Sequence, residues 1–137
     1  IVVIGIAAAA LYSAMAAITG RSADPLLRQQ SLSIAEAYLE EILLQAYLDP
    51  ATGQVCPAAP ASRLQFDNVC DYAGLVDVGA RNARGNPIAA LSGYRVQVAV
   101  TPRALGGLSA SDVLHVEVDV RDPAGQALRL DGFRARY

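Results

Sequence analysis

Lysine is missing from all 137 residues, so eleven arginines carry the whole side-chain positive charge against thirteen acids, for a net charge of −2 at pH 7. The arginines are scattered rather than clustered, which removes the basic groove or stripe that a nucleic-acid partner requires. Arginine used throughout in place of lysine fits a GC-rich coding bias and calls for no mechanism. Catalytic signatures are missing as well. There is no G-x-S-x-G elbow, HExxH, P-loop or GxGxxG, the main motif signals of hydrolase, metallopeptidase and nucleotide chemistry. No cofactor is implied. Two cysteines without a C-x-x-C pair, and one distant histidine, supply too few ligands for a zinc site.

The most informative absence is local. Ile1 to Ile18, IVVIGIAAAALYSAMAAI, contains no charged residue. As a helix these eighteen residues rise roughly 27 Å against a hydrocarbon thickness of about 30 Å, a little short of a full span. A buried core helix would show a polar face, and a secretory h-region would end at a small-x-small cleavage site after about 7–15 apolar residues. The polar face is missing, and the segment is expected to insert into a membrane or among other rods of its kind. Gly5 and the alanines, above all Ala8, Ala9, Ala10, Ala14 and Ala17, would let such rods approach closely and gain van der Waals contact. The flanking charges Arg21, Asp24 and Arg28 do not decide orientation, because only one flank is visible.

Two units are therefore expected, an apolar helix over 1–20 and a small head over 21–137, the latter with room for one core. Thr19 and Gly20 weaken the first helix, and Asp24 followed by Pro25 reads as an N-cap with proline at the first helical position. A break or kink is expected around Gly20, Asp24 and Pro25. Beyond it, Leu27, Ile34, Tyr38 and Ile42 form one helical row that Leu39, Leu43 and Ala46 widen, while Arg28, Gln29, Ser33, Glu36 and Glu40 face the other way. The spacing predicts an amphipathic helix over 25–47, ending ahead of Asp49-Pro50 and Gly53.

Residues 49–93 hold four of the seven prolines and five of the glycines, with no lasting period, and read as a long pinned loop region. Cys56 and Cys70 bracket part of it. A disulfide is the natural reading, with two free buried thiols as the alternative; closing about fifteen residues would contribute roughly 3 kcal/mol in the chain-entropy model. The last third, 94–137, is sheet. Tyr94, Val96, Val98 and Val100 alternate with Arg95, Gln97 and Thr101, and Leu114, Val116, Val118 and Val120 with His115, Glu117, Asp119 and Arg121. Asp122-Pro123-Ala124-Gly125 suits a tight hairpin into a third strand, where Gly132 shifts the alternation and predicts a bulge near Asp131-Gly132. One apolar sheet face needs a cover, and the 25–47 helix is the element left to supply it. The expected class is α+β, with a long N-terminal helix, kinked near Pro25, on a three- to four-stranded antiparallel sheet.

Candidate chemistry is thin. His115 sits on the polar side of a strand with no serine or cysteine near it in sequence, as a solvated histidine would. Asp67, Asn68, Asp71 and Asp77 could gather oxygen ligands for calcium, but their spacing matches no EF-hand loop, and Asx turns and helix caps account for them. Glu36, Glu40 and Glu41 are expected on a solvated helix face, from which they could meet arginines of a neighbouring subunit.

Five segments carry a resemblance: IVVIGIAAAAL at Ile1–Leu11, RSADPLLRQQSLSIAEAYLEEILLQAYLDP at Arg21–Pro50, FDNVCDYAGL at Phe66–Leu75, GNPIAALSGYRVQV at Gly85–Val98 and LRLDGFRARY at Leu128–Tyr137. Through them the chain resembles type IV pilin-like proteins, and more narrowly minor pilins of the mannose-sensitive haemagglutinin (MSHA) pilus system, the MshD-like group. The first segment is shared widely among pilins and pseudopilins; RQQSLSIAEAYLEEI is the narrower signal. The resemblance implies a non-enzymatic subunit that helps initiate or tip a pilus used in adhesion. It further implies a leader cut by a prepilin peptidase, residence in inner-membrane lipid with the head in the periplasm, and transfer by an assembly platform to the pilus. Partners would be other pilin and minor pilin subunits, met through the N-terminal helix. The cleavage site and the glutamate that follows it should lie upstream of Ile1. Two rivals stand beside this reading: a minor pseudopilin of a type II secretion system, and a membrane-tethered periplasmic binding module or enzyme.

Overall fold

The strict alternation of the last third becomes sheet. In the computed structural model, which describes residues 25–137, four strands lie in the order β1-β2-β3-β4: β1 Val76–Val78, β2 Arg95–Pro102, β3 Val113–Arg121 and β4 Ala127–Ala135. Every neighbouring pair is antiparallel, with Val96 opposite Asp77 and Val120, and Val118 opposite Leu130. The expected apolar rod over 1–20, its packing residues Gly5, Ala8, Ala9, Ala10, Ala14 and Ala17, and the break positions Gly20 and Asp24 lie outside the described residues. Pro25 is helical.

One helix, α1 (residues 25–43), covers one face of the sheet. Ile34, Ala35, Tyr38, Leu39 and Ile42 on α1 share a single buried cluster with Tyr94, Val96 and Val98 of the second strand region and Leu114, Val116, Val118 and Val120 of β3. The period-3.6 row and the period-2 rows thus meet as their spacing requires. Arg28, Gln29, Ser33, Glu36 and Glu40 face away from this core.

Regular α1 geometry stops earlier than the expected 47. Leu44 N–H still reaches the Glu40 carbonyl at 3.2 Å, but Gln45 N–H bonds Ile42 at 3.0 Å, tightening the last turn. The chain then straightens so that the Ala46 carbonyl accepts Val69 N–H at 3.0 Å, and Tyr47, buried, donates its hydroxyl to the Ser111 carbonyl at 2.8 Å. The Asp49-Pro50 turn follows as expected: Asp49 Oδ1 accepts both Ala51 and Thr52 N–H, at 2.8 and 2.6 Å.

Two expectations about the sheet need correcting. The stretch 49–93 is not wholly loop, because β1 lies within it and pairs with β2. Nor is there a bulge at Asp131-Gly132. The β3–β4 register runs unbroken from Arg121 opposite Ala127 to Val113 opposite Ala135. Leu128, Leu130 and Gly132 stay on the helix-facing side, and Phe133 and Ala135 take the opposite side. Gly132 is there for clearance: a Cβ would stand 3.0 Å from Leu43 Cδ1 and 3.5 Å from Leu39. The β3–β4 hairpin is tight, with Gly125 N–H on the Asp122 carbonyl at 2.9 Å and Gly125 in the left-handed region at φ 86°.

The outer face carries a further correction. His115 is buried, not solvated; its register partner Phe133 stacks on it with ring centroids 4.7 Å apart, and its Nε2 lies 2.7 Å from Asp131 Oδ2. Aromatic stacking across a strand pair covers the ring where alternation alone placed it in water.

Candidate functional site

Cys56 and Cys70 are joined as a disulfide, with Cα atoms 4.9 Å apart. Inside the loop this bond closes stands Arg63, in a short 3-10 turn, Arg63–Gln65. Arg63 is the hub of the head's polar interior. Its Nη1 donates to Asp77 Oδ2 at 2.7 Å, and its Nη2 reaches both carboxylate oxygens of Glu41, at 3.2 and 3.3 Å. The guanidinium lies 5.1 Å from the Tyr38 ring centre and 5.8 Å from that of Tyr72. Arginine suits such a place because one planar fork serves two carboxylates while its faces stack on rings.

The two tyrosines complete the network. Tyr38 donates its hydroxyl to Asp77 Oδ2 at 2.7 Å and accepts Arg81 N–H at 2.8 Å; Tyr72 donates to Glu41 Oε1 at 2.8 Å. Arg81 Nε sits 3.7 Å from Asp77 Oδ1. Four segments are tied together in this way: α1 through Tyr38 and Glu41, the disulfide loop through Arg63, the following turn through Tyr72, and β1 through Asp77. Burial, reinforced by the hydrogen bond to Asp77, pushes the Tyr38 phenol up to about 12. Burial and the bond to Glu41 raise the Tyr72 phenol further. Burial alone would lower the Arg63 guanidinium, but the Glu41 charge and Tyr38 outweigh it and the net direction is up. With Arg63 and Arg81 against Glu41 and Asp77 the cluster is formally neutral. Arg63 Nε is buried without a hydrogen-bond partner among the described residues.

The acidic loop residues are likewise engaged internally. Asn68 and Asp71 form a capping box on the 3-10 turn Val69–Tyr72, with Asn68 Oδ1 accepting Cys70 N–H at 3.0 Å and Asp71 Oδ2 accepting Asp67 and Asn68 N–H at 2.9 and 3.3 Å. Asp77 faces Arg63 instead of the other loop acids. Among the described residues no group of three or more His, Cys, Asp or Glu side chains is placed to hold a metal ion.

Glu41 departs from the solvated helix face expected for it, since its partner is Arg63 of the same chain. Glu36 and Glu40 do face outward, on the side of α1 that also exposes Leu26 and Leu44. A shallow cleft of about 350 Å³ borders this side, between Gln30, Ser33 and Ala37 of α1 and Arg81, Ile88 and Leu91 opposite. Two of its polar atoms are engaged within the chain: Gln30 Oε1 accepts the Tyr94 hydroxyl at 2.6 Å, and Arg81 Nη1 donates to the Gly85 carbonyl at 2.8 Å. Sequence reasoning places Tyr38 on the buried helical row but misses Arg63 and the polar network it builds with Tyr38, Tyr72, Glu41 and Asp77. Only the clustering of an arginine with aromatics and acids around the cysteine loop could have pointed to them.

No known family model, curated protein or solved structure matches this chain. Among the described residues no helix is long and apolar enough to cross a membrane.

Proposed function

We propose that this chain is a minor pilin of an MSHA-type type IV pilus, one that helps initiate or tip assembly and so serves adhesion. The observation that carries the reading is a junction. The uncharged segment Ile1–Ile18 runs, with almost no linker, toward a helix whose inner side is buried on an antiparallel sheet and whose other side stays exposed. A rod continuous with the spine of a head can leave lipid and pack among like rods while the head stays folded. The internal clamp on the cysteine loop supports the same reading, because it holds a surface loop in one shape for presentation to a partner.

In this account the protein waits in the bacterial inner membrane with its head in the periplasm, meets a prepilin peptidase and the assembly platform, and then enters the pilus. Its mechanism is packing and not covalent chemistry. A type II secretion pseudopilin would share the architecture, and genes for pilus or for secretion machinery beside this one separate the two.

Full-length chain purified in detergent should retain sibling minor pilins of the same system through affinity capture. Recovery of the chain alone, from cells shown to make those siblings, would count against the proposal.

A further inference from the structure

The two ends of the disulfide sit in unlike surroundings. Cys70 is 5% exposed, at the second position of the 3-10 turn Val69–Tyr72; the Asn68/Asp71 capping box and the Val69–Ala46 bond at 3.0 Å hold that turn without help from the sulfur. Cys56 is exposed, in a run of exposed residues from 50 to 56, and its backbone lies in the left-handed region at φ 52°, which non-glycine residues seldom occupy. Among the described residues, 55–61 make no hydrogen bond to the rest of the head, so the sulfur bridge is what tethers this stretch. On either side the chain is pinned independently: upstream by the Asp49 turn, with Asp49 N–H on the Gln54 carbonyl at 2.9 Å, and downstream by Arg63 on Asp77 and Glu41.

We infer that Cys56–Cys70 is a thiol-exchange site that opens in the folded head, in one direction, toward small thiolates. A thiolate must approach along the S–S axis. Cys56 is exposed whereas Cys70 is 5% exposed between the buried Val69 and Asp71, so Cys56 is the end open to attack from solvent. The incoming thiolate forms a new S–S bond with Cys56 Sγ and the Cys56–Cys70 bond breaks. Cys70 leaves as a thiolate, takes a proton from water, and the mixed disulfide stays on Cys56. The stretch set free is 55–61, because the Asp49 turn and the Arg63 clamp stop the opening at both ends. This chemistry does not depend on the pilus assignment.

The test uses the full chain in detergent micelles, exposed briefly to glutathione, quenched by denaturation in excess N-ethylmaleimide so that the buried thiol is labelled too, and mapped by peptide mass spectrometry. Glutathione is expected on Cys56 and N-ethylmaleimide on Cys70, in at least about tenfold excess over the reverse pattern. Amide exchange recorded in parallel should show β2, β3 and β4 as protected as before, with the change confined to the loop. Three results overturn the inference: equal or reversed labelling, loss of sheet protection on the timescale of adduct formation, or no adduct in the time that converts denatured chain completely.

Discussion

Arg63 Nη1 stands 2.7 Å from Asp77 Oδ2, and the two side chains are only 8% and 7% exposed, so an ion pair between a loop and a three-residue edge strand is buried almost completely. Charges removed from water in this way are costly to separate, since loss of one leaves the other without compensation. The pair, with Glu41 behind it, explains how β1 persists although a three-residue strand at a sheet edge has little ladder of its own.

Replacing Arg63 with Met should therefore lower unfolding free energy by about 3–5 kcal/mol, the usual cost of orphaning a buried carboxylate. Denaturant titration of the full chain in detergent checks this. Combining Arg63→Met with Glu41→Gln and Asp77→Asn should recover most of the loss, because the uncompensated charges go too. A loss under about 1 kcal/mol for the single variant would place the pair among weak surface bridges instead.

Alkaline pH should attack the same cluster. The Tyr38 phenol is raised from 10.0 to about 12 in the folded state, chiefly by burial and then by its bond to Asp77. The folded state thus holds that proton more tightly than the unfolded chain does. The stabilisation is complete below pH 10 and is lost as pH rises through about 12. Stability measured across that window should fall, and Tyr38→Phe should flatten the fall while leaving the part owed to Tyr72.

The disulfide and the clamp act on the same loop, and their contributions are separable. Cys56→Ser with Cys70→Ser should cost about 3 kcal/mol, as expected for a closed loop of this length. The folded signature should survive at neutral pH, because Arg63 still ties the loop to α1 and β1. Near-ultraviolet circular dichroism of the tyrosines, compared before and after substitution, reads this directly.

Gly132 should tolerate little. Gly132→Leu would drive its side chain into Leu43 and Leu39 and cost about 1–3 kcal/mol by overpacking. Leu43→Ala in the same chain should relieve part of that cost, a coupling that a double-mutant cycle measures. Additive effects would mean that the helix does not approach the strand where the structure puts it.

These sites also mark how far the sequence could be read. The α1 row Leu27, Ile34, Tyr38 and Ile42 and the alternating valines of β2 and β3 were legible, because each repeats a period long enough to fix a face. The β3–β4 hairpin was legible from Asp122, Pro123 and Gly125. β1 was not: a three-residue strand carries no lasting period, and its place is fixed by Asp77 meeting Arg63. Gly132 misled because a glycine that makes room for a helix looks, in a linear string, like one that shifts the register. Glu41 misled for a related reason, since its partner lies 22 positions away in an aperiodic loop. Of the candidate site, the cysteine pairing was foreseen; the Arg63 hub, a matter of tertiary meeting alone, was not.

One variant tests most directly the proposal that the uncharged N-terminal segment is shared between subunits in a filament. Ala8→Gln with Ala9→Gln, made in the full chain, would be followed by immunoblot in sheared pili and in membranes. If the proposal holds, membrane levels stay normal and the chain is lost from the pilus fraction, because close packing between subunits is blocked while the head stays intact. Wild-type levels of the variant in pili would contradict it.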